Sequence, residues 1–351
     1  MQTRQLKRVG GAISLLMCAG AMFSLSARAA SCKTQSQMTA AQRDSLSSVA
    51  RMMMRSVQSG DVNALQAIAV PSVGADFNGI AASVESLKPL VQQAAITVDN
   101  LYSLDAASET AGATRTDFYC GAPLVVLNFT DLPPGMYALV ILHATGVPHP
   151  QQITLILSEA SDHRWLLGGF FSRPMMEAGH DGLWYWVAAR KYAHRNMTWD
   201  AWLYYRLAAS CLDPVEFLSS PNLEMLQHEQ EEVHPQTLPG AKPLLLDAHG
   251  SVFQVTSVET TTALGALDLE VHYAPDSTQA KQLSDPPTAR KQVTDLMLAM
   301  LALHPELHEA FHGIWVQADQ GSTSAFSLEL TMDQIAPAAS LGETRQNLVA
   351  Q

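Results

Sequence analysis

Between residues 95 and 172 the hydrophobic positions are spaced as in β-strands. The segments 124–129 (LVVLNF), 136–142 (MYALVIL) and 153–157 (ITLIL) are rich in β-branched and aromatic residues, and Pro133-Pro134-Gly135 and Gly146-Val147-Pro148 divide them. Apolar runs punctuated in this way predict strands, here over 95–106, 116–120, 124–131, 136–145, 151–159 and 164–172. Upstream the period is helical. Leu46, Val49, Ala50, Met53 and Val57 recur at helical spacing behind Thr39-Ala-Ala-Gln42, a capping box. Ser59-Gly60 ends that helix, Asp61 caps a shorter one through Leu65 and Ile68, and a third is expected near Ser86 with Pro89 in its first turn. Helices followed by a long meander predict an α+β fold with helices on one face of a curved antiparallel sheet.

The pattern changes again at 164–226, a stretch holding five of the six tryptophans: Trp165, Trp184, Trp186, Trp199 and Trp202. It is strand-like through WLLGGFF and helix-like from Asp181, predicting a last strand and then a helical hairpin. Residues 234–243 contain three prolines and a glycine without periodicity and read as a linker. Beyond them lie expected strands near 251–259 and 265–274, and a helix opened by Asp285-Pro-Pro with Val293, Leu296, Met297 and Met300 on one stripe. The strands IWVQAD and AFSLELTM follow. The expected division is 30–175, a sheet domain; 176–233, a hairpin docked on it; 234–243, a linker; 244–335, a smaller and separable α+β domain; and 336–351, a tail.

Two resemblances follow. The order helix, Ser-Gly-Asp turn, short helices and long antiparallel sheet over 40–175 resembles the nuclear transport factor 2-like superfamily, whose members are cones of curved sheet around a long first helix. The resemblance implies a cone that Asp99, Tyr102, Tyr119, Tyr137 and His143 would line as a ligand site. Over 181–214, Ala189, Tyr192, Ala201, Tyr205 and Ala208, closed by Asp213-Pro214, resemble a single tetratricopeptide repeat. That resemblance implies a surface for a protein partner.

Composition narrows the classes. Residues 1–29 carry the marks of a secretory signal: basic Arg4, Lys7 and Arg8, an apolar stretch, and Ala27-Arg28-Ala29 as a cleavage site. Export to the periplasm or outside the cell is expected, and no later hydrophobic run is long enough to span a bilayer. Removing 1–29 takes away four basic residues and no acid, leaving 17 basic against 33 acidic residues and a formal charge of −16. Such a chain disfavours nucleic acid and anionic membranes as partners. Cys32, Cys120 and Cys211 would remain. Export permits one disulfide, expected between Cys32 and Cys120 because both lie in the first domain, with Cys211 a buried free thiol. The alternative for Cys32 is acylation as a lipoprotein anchor.

One segment carries catalytic chemistry. His308-Glu309-Ala310-Phe311-His312 fits H-E-x-x-H, in which two histidines one helical turn apart hold zinc while the glutamate activates its water, and Glu329 is the candidate third ligand. Pro305 before the motif and Gly313 after it leave room for only about two turns, so a solvated helix face is the competing reading. The expected function is non-catalytic binding, of a small apolar ligand in the cone or of a protein on the hairpin, without a cofactor. The alternative is a zinc-dependent hydrolase using His308, His312 and Glu329.

Overall fold

A computed structural model describes residues 30–122 and 124–335, so the signal segment 1–29 and the tail 336–351 lie outside the described residues. The protein is α+β. The chain opens with β1 (Ser31–Thr34), α1 (Ala40–Ser59), α2 (Val62–Ala67), α3 (Pro71–Ala75) and α4 (Asn78–Val91). Local chemistry sets these ends. The Thr39 hydroxyl accepts from the Gln42 N–H at 3.2 Å, and the Gln42 side chain accepts from the Thr39 N–H at 3.0 Å. Gly60 closes α1 at φ 74°, which only glycine adopts cheaply, and Asp61 caps α2. The third helix differs from expectation: α4 starts at Asn78, and Pro89 lies near its end, not in a first turn. Val84, Leu87 and Val91 bury one face, while Pro89 and the Glu85 carbonyl it cannot bond are on the exposed face, where water satisfies the freed acceptor.

Six strands follow: β2 (Ala95–Asp105), β3 (Arg115–Cys120), β4 (Val125–Thr130), β5 (Met136–Thr145), β6 (Gln151–Glu159) and β7 (Trp165–Pro174). The larger sheet runs β1-β2-β5-β6-β7, antiparallel throughout. Its strand β5 is buried on both faces, which explains its near-continuous apolar sequence. Ala138, Val140, Leu142, Leu155 and Leu167 pack under Met53, Met54, Val57 and Leu65 of the helices. On the opposite face Leu104, Leu139 and Ile141 meet Phe118, Leu127 and Phe129 of a smaller sheet. Cys32 and Cys120, the pair singled out from the sequence, form a disulfide that ties β1 to β3, and Cys211 is a buried free thiol. A sulfur in a disulfide cannot carry an acyl chain, so this bond and the lipid-anchor alternative are mutually exclusive.

A two-stranded turn, β8 (Met176–Glu177) and β9 (His180–Asp181), leads into the helices α5 (Gly182–His194) and α6 (Thr198–Leu212), then β10 (Leu218–Ser219) and α7 (Pro221–Glu232). Ala189, Ala201 and Ala208 are fully buried between the helices. Glu229 of α7 locks the group together: its carboxylate accepts from Arg190 at 2.6 and 2.8 Å, from the Trp186 indole at 2.8 Å and from the Tyr205 hydroxyl at 3.1 Å.

The last unit is a sheet ordered β11 (Leu244–Ala248), β12 (Ser251–Thr261), β13 (Asp268–Ala274), β14 (Gly313–Gln320), β15 (Thr323–Thr331). Between β13 and β14 run α8 (Ser277–Gln282), α9 (Pro286–Leu303) and α10 (Leu307–Ala310), and β13 and β14 are parallel, as a crossover of this length permits. Here the expected domain plan is corrected. Tyr185, Trp199, Leu203 and Tyr204 of the hairpin share one hydrophobic core with Phe253, Val271, Met297 and Ile314 of this last unit. The Tyr204 hydroxyl donates to the Ala310 carbonyl at 2.7 Å, and the Arg195 guanidinium holds both oxygens of Glu309. The 234–243 segment is not a free tether either: Pro235 is buried and the Trp199 indole donates to Thr237 at 3.2 Å. Contact with the first unit comes mainly through the connection after α6, where Phe217 lies 4.9 Å from Phe129 and 5.6 Å from Phe171, ring centre to ring centre, and β10 pairs with β4. Trp165 packs on the helix side of the larger sheet.

Candidate functional site

The interior that a cone-shaped ligand site requires is filled by side chains. The face of the larger sheet that α1 covers is packed with Met53, Met54, Val57 and Leu65, all fully buried. The expected lining residues are elsewhere. Tyr102 and Tyr137 project from the other face of the sheet, into the layer shared with the smaller sheet. The Tyr137 hydroxyl donates to the Pro133 carbonyl at 2.7 Å, which gives it a structural partner. Tyr119 is 62% exposed on β3. The reason is period two: cross-strand partners share a face, and Tyr102 pairs with Leu139 and Leu104 with Tyr137, while Leu101 pairs with Val140, on the helix side.

Tyr102 nevertheless reaches a cavity. A cleft of about 370 Å³ lies between this outer face and the hairpin. Tyr102, Ile141 and Gln152 form its floor, and Leu183, Trp186 and Leu212 its opposite wall. Leu218 and Leu223, from the strand and helix after α6, close one side. A bulge at Val98/Asn100 puts the extra residue Asp99 at the rim. Burial, and then the charge of Asp99, raise the Tyr102 phenol above its ordinary value, so it is a neutral donor and acceptor. His143 Nε2 meets Gln152 Oε1 at 3.1 Å, and Asp99 Oδ1 lies 3.9 Å from the other ring nitrogen. In this orientation His143 donates to the Gln152 amide oxygen. The Gln152 Nε2 is buried and has no acceptor among the described residues. A cleft lined mainly by apolar side chains, with Asn100, Tyr102, Gln152, Ser220 and Asn222 also on its lining, suits a small ligand carrying a hydrogen-bond acceptor. A larger hollow of about 500 Å³ between α6 and β12 is more polar, with Glu177, Arg206, Ser210, Glu259 and Thr260–Thr262 beside Pro174, Leu203 and Leu207.

The H-E-x-x-H segment does not form a zinc helix. Helix α10 covers only Leu307–Ala310, and Phe311 is already extended at φ −124°, ψ 150°. The His312 N–H donates to the Leu267 carbonyl at 2.9 Å and its own carbonyl accepts from Met332, so His312 already belongs to the sheet. His308 is exposed on α10, and Glu309, the residue that would activate water, is bound to Arg195. His308 is therefore removed from the candidate ligands. His312 and Glu329 do come together, and with them Asp268, which sequence reasoning missed: one ligand atom from each lies within 4.8 Å of the others. His312 Nδ1 is 3.0 Å from Asp268 Oδ1.

No protein-family model, no curated protein and no solved structure matches the chain. Among the described residues no helix is long and apolar enough to cross a membrane.

Proposed function

We propose that the protein is exported and non-catalytic, and that it binds a small, mainly apolar molecule bearing a hydrogen-bond acceptor in the cleft between the larger sheet and the hairpin. The observation that carries this reading is the cleft itself: Ile141, Leu183, Trp186, Leu212, Leu218 and Leu223 give it an apolar lining, and Gln152, whose Nε2 has no acceptor among the described residues, borders it. An unpaired buried donor costs free energy unless a ligand completes it. The cleft volume suits a ligand of modest size. The cleft combines elements from both halves of the chain, which keeps the nuclear transport factor 2-like and tetratricopeptide-like readings as proposals about ancestry and moves the binding site out of the cone. A hydrolase reading loses support, because His308 and His312 are not one helical turn apart and Glu309 is committed to Arg195.

Nile red, a neutral apolar dye with a carbonyl acceptor, tests the cleft by its fluorescence. The intact chain should bind it with micromolar affinity. Leu183→Arg, at a solvent-exposed rim position, should weaken binding at least tenfold. Gln152→Leu, which removes one hydrogen bond of about 1 kcal/mol, should weaken it about fivefold. Dye affinity that is absent, or equal in the wild type and both variants, rejects the cleft.

A further inference from the structure

The outer face of the C-terminal sheet carries two groups of histidine and carboxylates. In the first, His272 Nδ1 lies 2.9 Å from Asp319 Oδ2, its Nε2 lies 3.4 Å from Glu270, and Gln317 donates to Glu270 at 3.3 Å. Those carboxylates are partnered by protein donors. The second group, Asp268, His312 and Glu329, is built differently. Asp268 is 1% exposed, yet its Oδ2 has no hydrogen-bond donor, and Glu329 Oε1 is also buried without one. No lysine or arginine among the described residues pairs with either acid.

The strand order produces this meeting. Leu269 pairs with Ile314 in the parallel β13–β14 ladder, which sets Asp268 beside Gly313. Gly313 pairs with Thr331 and Trp315 with Glu329, which brings the Glu329 side chain over the same spot. A Cβ on Gly313 would lie 2.9 Å from Glu329 Oε1 and 3.1 Å from Asp268 Oδ1. The two carboxylates thus crowd the space that a side chain at 313 would fill, and His312 borders it with Nδ1 inward. His312 Nδ1 meets Asp268 Oδ1, but Asp268 Oδ2 and Glu329 Oε1 lack donors among the described residues; two acids so placed repel, and their burial is costly unless a positive charge lies between them.

The geometry points to a divalent metal site made by Asp268, His312 Nδ1 and Glu329. One imidazole with two carboxylates matches ions of borderline softness, zinc or manganese, better than magnesium or calcium, which take oxygen ligands. Ligand atoms of a tetrahedral zinc lie roughly 3.3 Å apart, given bonds of about 2.0–2.1 Å. The His312–Asp268 separation of 3.0 Å is close to that edge. The three ligand atoms lie within 4.8 Å of one another, so an ion would draw them closer together. His312 is 53% exposed, so ions reach the site from solvent and a water completes the coordination. This site is separate from the cleft, and its test does not depend on ligand binding there.

The experiment is calorimetric titration of the chelator-treated full chain with zinc, manganese, magnesium and calcium chlorides at pH 7.5, with melting temperature as a second readout. One zinc or manganese ion per chain should bind at micromolar Kd or tighter and raise the melting temperature. His312→Ala and Glu329→Gln should each weaken binding at least tenfold while leaving the far-ultraviolet circular dichroism unchanged. His308→Ala should bind like the wild type. Absence of stoichiometric binding, a preference for magnesium or calcium, or loss of binding in His308→Ala but not in Glu329→Gln would overturn the assignment. So would a Glu329→Gln variant that is stabilised equally with and without zinc, because the two acids would then share a proton in place of a metal.

Discussion

Asp200 is the least expected residue in the hairpin. It sits in the first turn of α6, where the helix dipole favours a negative charge by about 0.3–1 kcal/mol. It is 0% exposed, and neither carboxylate oxygen has a hydrogen-bond donor. Burial first, and then the charges of Glu306 and Glu309, push its pKa up to about 7, with Arg195 opposing. The folded value therefore lies above the unfolded one of 3.8. Below about pH 4 both states are protonated and the fold has its full stability from this group. As pH rises towards 7 the unfolded chain ionises and the folded one does not, so stability falls, and it levels off above about 7. About three units at 1.36 kcal/mol each give on the order of 4 kcal/mol, several times the dipole contribution. Asp200→Asn keeps the shape and abolishes the titration. Urea unfolding of both chains at pH 4, 5.5, 7 and 8 measures the difference. The variant's advantage should grow by on the order of 4 kcal/mol across that range, while groups common to both chains, such as Asp213, cancel. Parallel profiles would refute the reasoning and would mean that Asp200 is solvated or paired.

Three further outcomes are expected. Gly182→Ala places a Cβ 2.5 Å from Leu212 Cγ and 3.0 Å from the Ala208 carbonyl, so urea denaturation should show a loss of about 1–3 kcal/mol from overpacking; a neutral result would show that the two helices slide apart freely. The Cys32–Cys120 bond closes a loop of 88 residues, and a Cys32→Ser, Cys120→Ser pair should lose about 4–5 kcal/mol by chain entropy, read from the denaturation midpoint with and without reductant; equal midpoints count against the bond. A chain ending at residue 233 strips Trp199, Leu203 and Tyr204 of their partners and should lose near-ultraviolet tryptophan signal; retention of cooperative, wild-type unfolding would place the hairpin energetically with the first unit.

The sheet of the first unit was legible because its strands are long, apolar and divided by Pro and Gly turns. The expected 136–145 and 151–159 coincide with β5 and β6. Two edge strands were not: β1 has four residues and β11 directly follows a Pro-rich stretch, so neither offers a period long enough to read. Docking of the hairpin was misread because nearness in sequence stood in for nearness in space. Its aromatic positions announced burial but not the partner, which begins about 32 residues after α6 ends. In the candidate metal centre, His312 and Glu329 were visible, but the helical period of H-E-x-x-H pointed to His308. Asp268 is separated from His312 by 44 positions and joins it only through parallel strand pairing. The signal that could have found it is Gly313 at the mouth of a strand, with a lone acid opening the neighbouring one. The cleft was missed because it needs both the outer sheet face and helices placed by long-range contacts.

The shared core of the hairpin and the last sheet has a consequence for biosynthesis. Translation delivers α5 and α6 before the strands and helix that complete their core, and β14 and β15 come last of all. Until some hundred further residues have emerged, Trp199, Leu203 and Tyr204 lack the part of their core that the last unit supplies, and a nascent chain in that state presents an aromatic surface to whatever surrounds it. The first unit, whose helices and sheet are consecutive in sequence, can form earlier. Its maturation is therefore two-step in time, and a stalled or prematurely terminated chain would be a client for chaperones even though its N-terminal half is already folded.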